Sequence, residues 1–147
     1  MINLNEIIFR EAKTTDKEFI LNANEEINIL SGINNNSFKE RIDKDLFEDK
    51  ICKSIIAEID DNIVWMILYS YNYRANIGKW IYISQAYVKS NYRWQGIYKS
   101  LINELKKLEP ECKFFTWLIG PENEIIQIAL KKMDFKTSDT ITYYKKI

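Results

Sequence analysis

The sequence predicts an α/β layer fold with the element order β-α-α-β-β-β-α-β-α-β. Three observations lead to this prediction. Runs rich in β-branched and aromatic residues indicate strands. Between them lie segments whose apolar residues recur every three or four positions, which indicates amphipathic helices. In residues 80–108, an apolar strand passes through a basic loop directly into such a helix.

The first third of the chain predicts one strand followed by two helices. Residues 6–12 contain Ile7, Ile8 and Phe9, which indicates a first strand. Residues 15–18 and 37–40 each have the spacing of a capping box, so we expect a helix to begin at each. Residues 34–36 are asparagines and form a polar loop between the helices. The expected buried residues are Ile20, Ala23, Ile27 and Leu30 in the first helix, and Phe38, Ile42 and Leu46 in the second.

The middle of the chain predicts three strands. Residues 51–59 and 63–71 are rich in β-branched and aromatic side chains, and the polar residues 60–62 between them indicate a hairpin turn. Residues 80–88 are apolar on both faces, as expected for a central strand that helices cover on both sides.

The last third predicts helix, strand, helix and strand. The helix at residues 97–108 carries an apolar stripe and ends before Pro110. Residues 114–119 predict a buried strand, and residues 140–146 predict a closing one. A helix is expected to begin just after Gly120. The expected buried residues are Ile97, Leu101, Leu105 and Leu108 in the first of these helices, and Ile125, Ile126, Ala129, Leu130 and Met133 in the second.

The composition indicates a globular chain without a strong charge. Its 147 residues fit one domain spanning residues 1–147, and 46% of them are hydrophobic. The 21 basic and 21 acidic residues balance, which argues against nucleic acid or an anionic membrane as a partner. No apolar run reaches the roughly 18 residues that a membrane helix needs. The first residues lack the basic and apolar parts of a signal peptide, so we expect a cytoplasmic protein.

Histidine is absent from the sequence, and cysteine occurs only twice. The absence of histidine excludes a histidine-based catalytic triad and removes the commonest zinc ligand, so we expect no metal site. Cys52 and Cys112 are far apart in the chain and lie in apolar segments. We therefore expect two reduced thiols in the core rather than a disulfide.

The loop at residues 89–96 has the properties of an anion-binding site. It leads into the first turn of a helix, where unpaired backbone N–H groups and the helix dipole favour a negative charge. Lys89, Arg93 and Lys99 add positive charge nearby, and Gly96 allows close approach of the backbone. Two alternatives remain, because Gly96 is also typical of a simple turn and the basic residues are also typical of a solvated loop.

Two motifs resemble those of the GNAT N-acetyltransferase superfamily. The loop reads Arg93-Trp94-Gln95-Gly96-Ile97-Tyr98, which is similar to the pyrophosphate loop of that family, Arg/Gln-x-x-Gly-x-Gly/Ala. Asn123 opens a late helix and is followed twelve residues on by Phe135, which resembles the second family motif. The order of elements is similar over residues 7–146. The resemblance implies a mixed, mostly antiparallel central sheet that is flanked by helices on both faces.

The resemblance also implies acetyl-CoA as cosubstrate and an amine as acceptor. The pyrophosphate would be held by the backbone of the loop, and the pantetheine arm would fill a gap beside the end of the central strand. Asn123 would contact that arm, although it is equally typical of a helix cap without a ligand. The implied cosubstrate-binding residues are Ala86, Tyr87, Val88, Arg93, Trp94, Gln95, Gly96, Ile97, Tyr98 and Asn123.

Three positions depart from the family pattern. Tyr98 stands where glycine or alanine is common, so its phenol must point away from the phosphates. Trp65 stands where many members have glycine, and it either narrows the acceptor side or fills the core. Leu130 stands where many members have the tyrosine that protonates the departing thiolate, so that acid is absent.

The general base is equally undefined by the sequence. The central strand carries Ser84 and Gln85 but no carboxylate, and residues 114–119 carry none either. The catalytic residues are therefore left unassigned, with four open candidates for the base: Glu58, Tyr82, Tyr143 or a chain of water molecules.

The resulting hypothesis is an acetyl-CoA-dependent N-acetyltransferase in which the amine attacks the thioester directly. A backbone N–H near Val88 would polarise the thioester carbonyl. The acceptor is a small metabolite, an antibiotic or a protein amine, and aromatic residues around the central hairpin either receive it or only pack. The alternative is an acyl-CoA-binding module with little catalysis, which the missing acid and base favour. Monomer and homodimer both stay open.

Overall fold

The computed structural model describes residues 3, 6–32, 37–120 and 123–138. The elements follow the predicted order through the last helix, whereas the loop at 34–36 and the closing strand at 140–146 lie outside the described residues. The strands and helices are β1 (Ile8–Glu11), α1 (Lys17–Leu30), α2 (Ser37–Ile42), β2 (Lys53–Ile59), β3 (Asn62–Arg74), β4 (Gly78–Val88), α3 (Ile97–Leu108), β5 (Phe115–Trp117) and α4 (Glu124–Lys131). A π-helical segment, Asp43–Glu48, continues α2.

The five described strands form one sheet in the order β1-β2-β3-β4-β5. Strands β1 to β4 pair antiparallel with their neighbours, and β5 pairs parallel with β4. The expectation of a mixed, mostly antiparallel sheet is therefore confirmed. Asp60 and Asp61 form the tight turn between β2 and β3 with φ of 49° and 58°, which matches the twist of a two-residue hairpin.

Helices cover both faces of this sheet, and each face has its own apolar cluster. The predicted burial of β4 on both faces is only partly met, because the α1 face takes Tyr87 from β4, whereas the α3 face takes Ile81, Ile83, Ala86 and Val88. Helix α3 covers one face with Ile97, Leu101, Ile102 and Leu105, which pack against Ile55, Trp65, Ile67, Ile81, Ile83 and Val88. Helices α1 and α2, with the π-helical segment, cover the other face with Ile20, Ala23, Ile42 and Leu46, which pack against Ile56, Met66 and Leu68.

The predicted buried faces of α1, α3 and α4 each include a residue near a helix end that is exposed in the structure. Leu30 in α1 is 72% exposed, Leu108 in α3 is 49% exposed, and Ile125 in α4 is 60% exposed. Leu30 and Leu108 are the last residues of their helices. Ile125 is directed away from the buried Leu130, because five helical steps separate the two side chains by about 140°.

The start of α1 also differs from the prediction. A 3₁₀ turn, Thr14–Asp16, precedes the helix, and the Asp16 carboxylate accepts a hydrogen bond of 2.7 Å from the Lys13 amide. Asp16 therefore caps the turn, rather than the predicted box at residues 15–18. The strand at 114–119 is shorter than expected and only half-buried.

Both cysteines are free, but they lie at the margins of the core rather than inside it. The Cys52 thiol donates to the Asp45 carbonyl at 3.6 Å. Burial raises the pKa of both the Cys52 and the Cys112 thiol, so both stay protonated near neutral pH. Within the described residues, no helix has the length and apolar character needed to span a membrane.

A charged network joins β1 to the start of α1. Arg10 donates to both oxygens of Asp16, at 2.6 and 2.9 Å, and its guanidinium also pairs with Glu58 on β2. Asp16 is 4% exposed, so its charge depends on these partners. Hydrogen bonds from Arg10 hold the pKa of Asp16 below its usual value of 3.8.

We expect Asp16→Asn to lower the free energy of unfolding by about 2 kcal/mol, because it removes one partner of a buried charged pair. The folded-state pKa of Asp16 lies below the unfolded value, so its contribution is complete above about pH 4 and is lost as the pH falls further. Urea unfolding at pH 7 and at pH 3 measures both effects. A wild-type minus variant difference that is equal at the two pH values contradicts this assignment.

Candidate functional site

The sheet opens at one end because β5 leaves β4. Strand β5 pairs with β4 only at Ile81–Ile83, although β4 continues to Val88. Along residues 84–88, no described strand covers the outer edge of β4. The separation begins at a β-bulge, where Ser84 is an extra residue that no β3 residue opposes, although its hydroxyl donates to the Leu68 carbonyl at 3.0 Å. A bulge bends its strand and increases the local twist, which accounts for the opening at this point.

Backbone groups of β4 point into this opening. The Lys89 amide donates to the Val64 carbonyl on β3 at 3.0 Å. Because hydrogen-bonded and non-hydrogen-bonded pairs alternate in an antiparallel ladder, the amides of Ala86 and Val88 are directed away from β3. The backbone amide of Tyr87, between them, is directed toward β3. The open edge therefore presents the backbone of Ala86 and Val88.

The loop after β4 leads directly into the first turn of α3. Gly96 is the N-cap residue, with a φ of 81°, and no described side chain caps the helix. The first intrahelical bonds run from the Lys99 and Ser100 amides to the Gly96 carbonyl. The amides of Ile97 and Tyr98 thus have no acceptor within the helix, and the helix dipole favours an anion there.

The side chains of the loop leave that helix end accessible. Trp94 has a φ of 68° and is 81% exposed. Gln95 donates through its side-chain amide to the Asn91 carbonyl at 3.3 Å. The Tyr98 ring packs inward, with its centroid 6.2 Å from that of Trp117, and burial raises its pKa to about 12. Tyr98 therefore adopts the inward orientation that an anion at the helix end requires.

Arg93 does not extend freely from the loop. Its Nε donates to the Val88 carbonyl at 2.9 Å, and its Nη2 donates to Glu26 in α1 at 2.7 Å. The Tyr87 hydroxyl donates to the other oxygen of Glu26 at 2.6 Å. The hydrogen bond from Tyr87, followed by the one from Arg93, holds the pKa of Glu26 below its usual value. Arg93 is thus paired with a carboxylate, contrary to its predicted role as added positive charge.

Lys89 also lies elsewhere than expected. Its ammonium group is 5.4 Å from the ring centroid of Phe19 in α1, so it faces the side of the sheet that α1 covers. There it lines a groove of about 450 Å³ between α1 and the end of β4. The groove is lined by Thr15, Glu18, Phe19, Asn22, Ala23, Glu26, Tyr87 and Lys89.

Glu26 was not predicted as a site residue, because its partner Tyr87 lies 61 positions later in the chain. The helical spacing of Phe19, Asn22 and Glu26 places one ring and two polar groups along one side, but this pattern is also typical of any solvated helix flank.

Of the candidate bases, Glu58 is already engaged in an ion pair. Glu58 lies on β2, two strands from β4, and is paired with Arg10. Tyr82 is half-buried on β4, and Tyr143 lies outside the described residues. The Gln85 side-chain oxygen is buried next to the bulge and accepts no hydrogen bond in the described structure. The side chain beside the bulge is therefore uncharged, and β4 carries no carboxylate.

The second family motif brackets α4, with Asn123 before the helix and Phe135 after it. Asn123 caps this helix, with its side-chain oxygen 3.4 Å from the Ile126 amide. Leu130 is 8% exposed, and Phe135 packs against the cluster under α3, as expected for a core residue. Asn123 thus has the structural role that the sequence left open beside its predicted ligand role.

The aromatic residues of the central hairpin mostly pack. Trp65 and Tyr69 are buried in the core, and the Phe9 ring meets Trp65 edge-on. Trp80 stacks on Phe114 with centroids 5.4 Å apart. Trp65 therefore fills the core and does not narrow an acceptor site.

A second charged cluster lies at the far end of α3. Glu109, Glu111 and Cys112 place one ligand atom each within 4.8 Å of one another. Lys53 pairs with Glu109 at 3.2 Å and Lys79 pairs with Glu111 at 2.7 Å. These carboxylates are neutralised by ammonium groups, so the cluster has the character of a structural ion-pair network.

Comparison with known proteins gives one family and many similar folds. A model described as the acetyltransferase (GNAT) family matches residues 21–135. A possible acetyltransferase from Clostridium difficile 630 is 20% identical, with a TM-score of 0.84 over 96% of this chain and 97% of that one. No curated protein matches the chain.

Two further structures have the same fold. Ribosomal-protein-alanine N-acetyltransferase from Brucella melitensis biovar Abortus 2308 is 14% identical, with a TM-score of 0.78 over 96% and 99% of the two chains. AAC(6')-Iy, in complex with the bisubstrate analogue CoA-S-monomethyl-acetylneamine, is 17% identical, with a TM-score of 0.76 over 96% and 98%.

Proposed function

The chain belongs to the acetyltransferase (GNAT) family, and we propose that residues 1–147 form one domain that transfers the acetyl group of acetyl-CoA to a primary amine. The observation that carries the proposal is the continuity of two backbone features. The open edge of β4 at Ala86 and Val88 leads, through one short loop, to the uncapped end of α3 at Gly96. An extended chain that ends in a pyrophosphate matches both features.

The proposed cosubstrate site uses backbone more than side chains. The amides of Ala86 and Val88 pair with the amide groups of the pantetheine arm or its thioester, as an added strand would. The backbone of residues 93–98, with the free amides of Ile97 and Tyr98, receives the pyrophosphate. Trp94 and Gln95 contribute through their backbone, and Asn123 lies at the start of the helix after β5.

Acetyl-CoA supplies an activated acetyl group, and the chain orients it for direct attack. The acceptor nitrogen forms a bond to the carbonyl carbon while the bond from that carbon to sulfur breaks. The Val88 amide donates a hydrogen bond to the carbonyl oxygen as negative charge develops there. The nitrogen loses its proton to water, and the departing sulfur takes one from water, because Leu130 offers no proton.

The groove between α1 and β4 is the proposed approach of the acceptor. Tyr87 and Lys89, which line it, flank Val88 in the chain, so the groove adjoins the open edge. Glu18 supplies an acidic group to an amine, and Phe19 supplies an aromatic face. AAC(6')-Iy, an aminoglycoside N-acetyltransferase, and the ribosomal-protein-alanine N-acetyltransferase both share this fold, so both kinds of amine belong in the panel of acceptors to be tested.

A second candidate function is an acyl-CoA-binding module with little catalysis. Two observations favour it: Leu130 offers no acid, and β4 carries no carboxylate. Release of free thiol from acetyl-CoA across a panel of amines separates the two functions. Binding without turnover for any amine favours the module.

Gly96→Glu should weaken acetyl-CoA binding by about 100-fold or more, because a side chain and a negative charge then occupy the phosphate position. Calorimetry on the folded variant measures the affinity. Gly78→Glu is the matched control, since Gly78 has a φ of 90° and an added Cβ there has no neighbour within 4 Å. It introduces the same charge and a similar backbone strain away from α3. Equal affinities of the two variants contradict the assignment of the loop.

The kcat/KM of acetyl transfer should climb with pH toward the pKa of the acceptor amine, because Gln85 cannot take a proton. Gln85→Glu should instead give a plateau that begins at lower pH, since the new carboxylate acts as a positioned base. Gln127→Glu in α4 is the control for the added charge. A wild-type profile that levels off near neutrality, two or more units below the acceptor pKa, shows that the chain contains a tuned base and defeats this mechanism.

A further inference from the structure

Arg93 connects the end of β4 to helix α1, which lies 67 positions away in the sequence. Its Nε reaches the Val88 carbonyl at the end of β4, and its Nη2 reaches Glu26 in α1. The centre of its guanidinium is 5.9 Å from the ring centroid of Tyr87. Tyr87 in turn donates to the second oxygen of Glu26. One carboxylate therefore holds both the arginine and the tyrosine, and the arginine holds the strand.

The hydrogen bond from Arg93 to the Val88 carbonyl replaces one that a neighbouring strand would donate. Strand β5 ends its pairing at Ile83, so the Val88 carbonyl has no partner from β5. Arg93 supplies the missing donor at 2.9 Å, while the amide of the same peptide group, on Lys89, donates to Val64. The last peptide group of β4 is thereby held at both its oxygen and its nitrogen. An open strand end without the arginine contact is free to twist or fray.

We propose that Glu26 is a positioning residue that holds Arg93 on the Val88 carbonyl and so directs the Val88 amide into the open edge of β4. The location of the thioester carbonyl beside that amide rests on the proposed function. Arg93 then acts on the acetyl end of the cosubstrate, through Val88, and is not a phosphate ligand. Its two described contacts already engage Nε and Nη2, and Glu26 offsets its charge.

The contacts of Glu26 explain why a carboxylate occupies this position. A bidentate acceptor is needed to take the Arg93 and Tyr87 donors at once, one on each oxygen. These donors also hold the pKa of Glu26 low, so the residue stays ionised at neutral pH. Glutamine at this position offers one oxygen, and alanine offers none, which gives a graded series of variants.

The test uses acetyl-CoA labelled with ¹³C at the thioester carbonyl. A hydrogen bond from the Val88 amide shifts the carbonyl resonance when the cosubstrate binds to the wild-type protein. We expect Glu26→Ala to lose most of this shift and Glu26→Gln to lose part of it, while calorimetry finds the Kd for CoA within about twofold of wild type. With an amine that the wild-type protein acetylates, the kcat of Glu26→Ala should fall about 10- to 100-fold, with little change in the KM for acetyl-CoA.

Glu25→Ala is the matched control, because Glu25 is an exposed neighbour in the same helix. It should keep both the carbonyl shift and the affinity for CoA. Arg93→Lys, which cannot span both partners in the same geometry, should resemble Glu26→Ala. Circular dichroism and the Tm confirm that each variant is folded. If Glu26→Ala alone fails to fold, Tyr87→Phe, which removes one donor to Glu26, should show a partial loss of the shift.

The outcomes distinguish the two proposals. A wild-type protein that shows no carbonyl shift and no affinity for acetyl-CoA overturns the proposed function and the inference with it. A wild-type shift that the folded Glu26→Ala and Arg93→Lys variants retain overturns the inference alone. A large loss of CoA affinity in these two variants, with a carbonyl shift as large as in the wild type, also overturns the inference. Arg93 would then contact the phosphates.

Discussion

The separation of β5 from β4 is the constraint on which the candidate site depends. A parallel neighbour that followed β4 to its end would satisfy the outward backbone groups of Ala86 and Val88 and close the sheet. The bulge at Ser84 comes directly after Ile83, the last residue of β4 that pairs with β5. One inserted residue thus converts a continuous sheet edge into a short stretch of backbone that can bind an extended ligand.

The open edge has a structural cost that other residues offset. Unpaired backbone groups are unfavourable unless solvent, a side chain or a ligand satisfies them. Arg93 satisfies the Val88 carbonyl, and Glu26 holds Arg93 in place from the helix on one face of the sheet. On the other face, Tyr98 packs toward Trp117 at the point where β5 departs. Side chains on both sides of the sheet thus stabilise its open end.

The two ends of the sheet have different chemistry. At the end that carries the loop, polar groups are arranged around unused backbone amides. At the opposite end, Glu109 accepts from Tyr69 and pairs with Lys53, and the network ties the end of α3 to β2 and β3. The second arrangement satisfies its own donors and acceptors, which is typical of a structural network. The first leaves donors available, which is typical of a binding site.

Much of the fold and part of the site could be predicted from sequence, because they depend on local patterns. Apolar periodicity is a property of a single segment, so it located α3, the central strand and the turn at Asp60 and Asp61. The loop motif likewise located Gly96 before a helix, and its φ of 81° agrees with that position. The burial of residues at helix ends was less predictable, since it depends on where a neighbouring element stops.

The sequence by itself determined the order of elements through α4, the position of the glycine turn before α3 and the family resemblance. The tertiary structure alone decided what the polar side chains of that turn do. Arg93 is paired with Glu26, Lys89 faces Phe19, Glu58 is held by Arg10, and Gln85 has a buried oxygen without a partner. Hydrogen bonds and ion pairs form between residues that are close in space, and spacing along the chain carries no information about a partner 67 positions away.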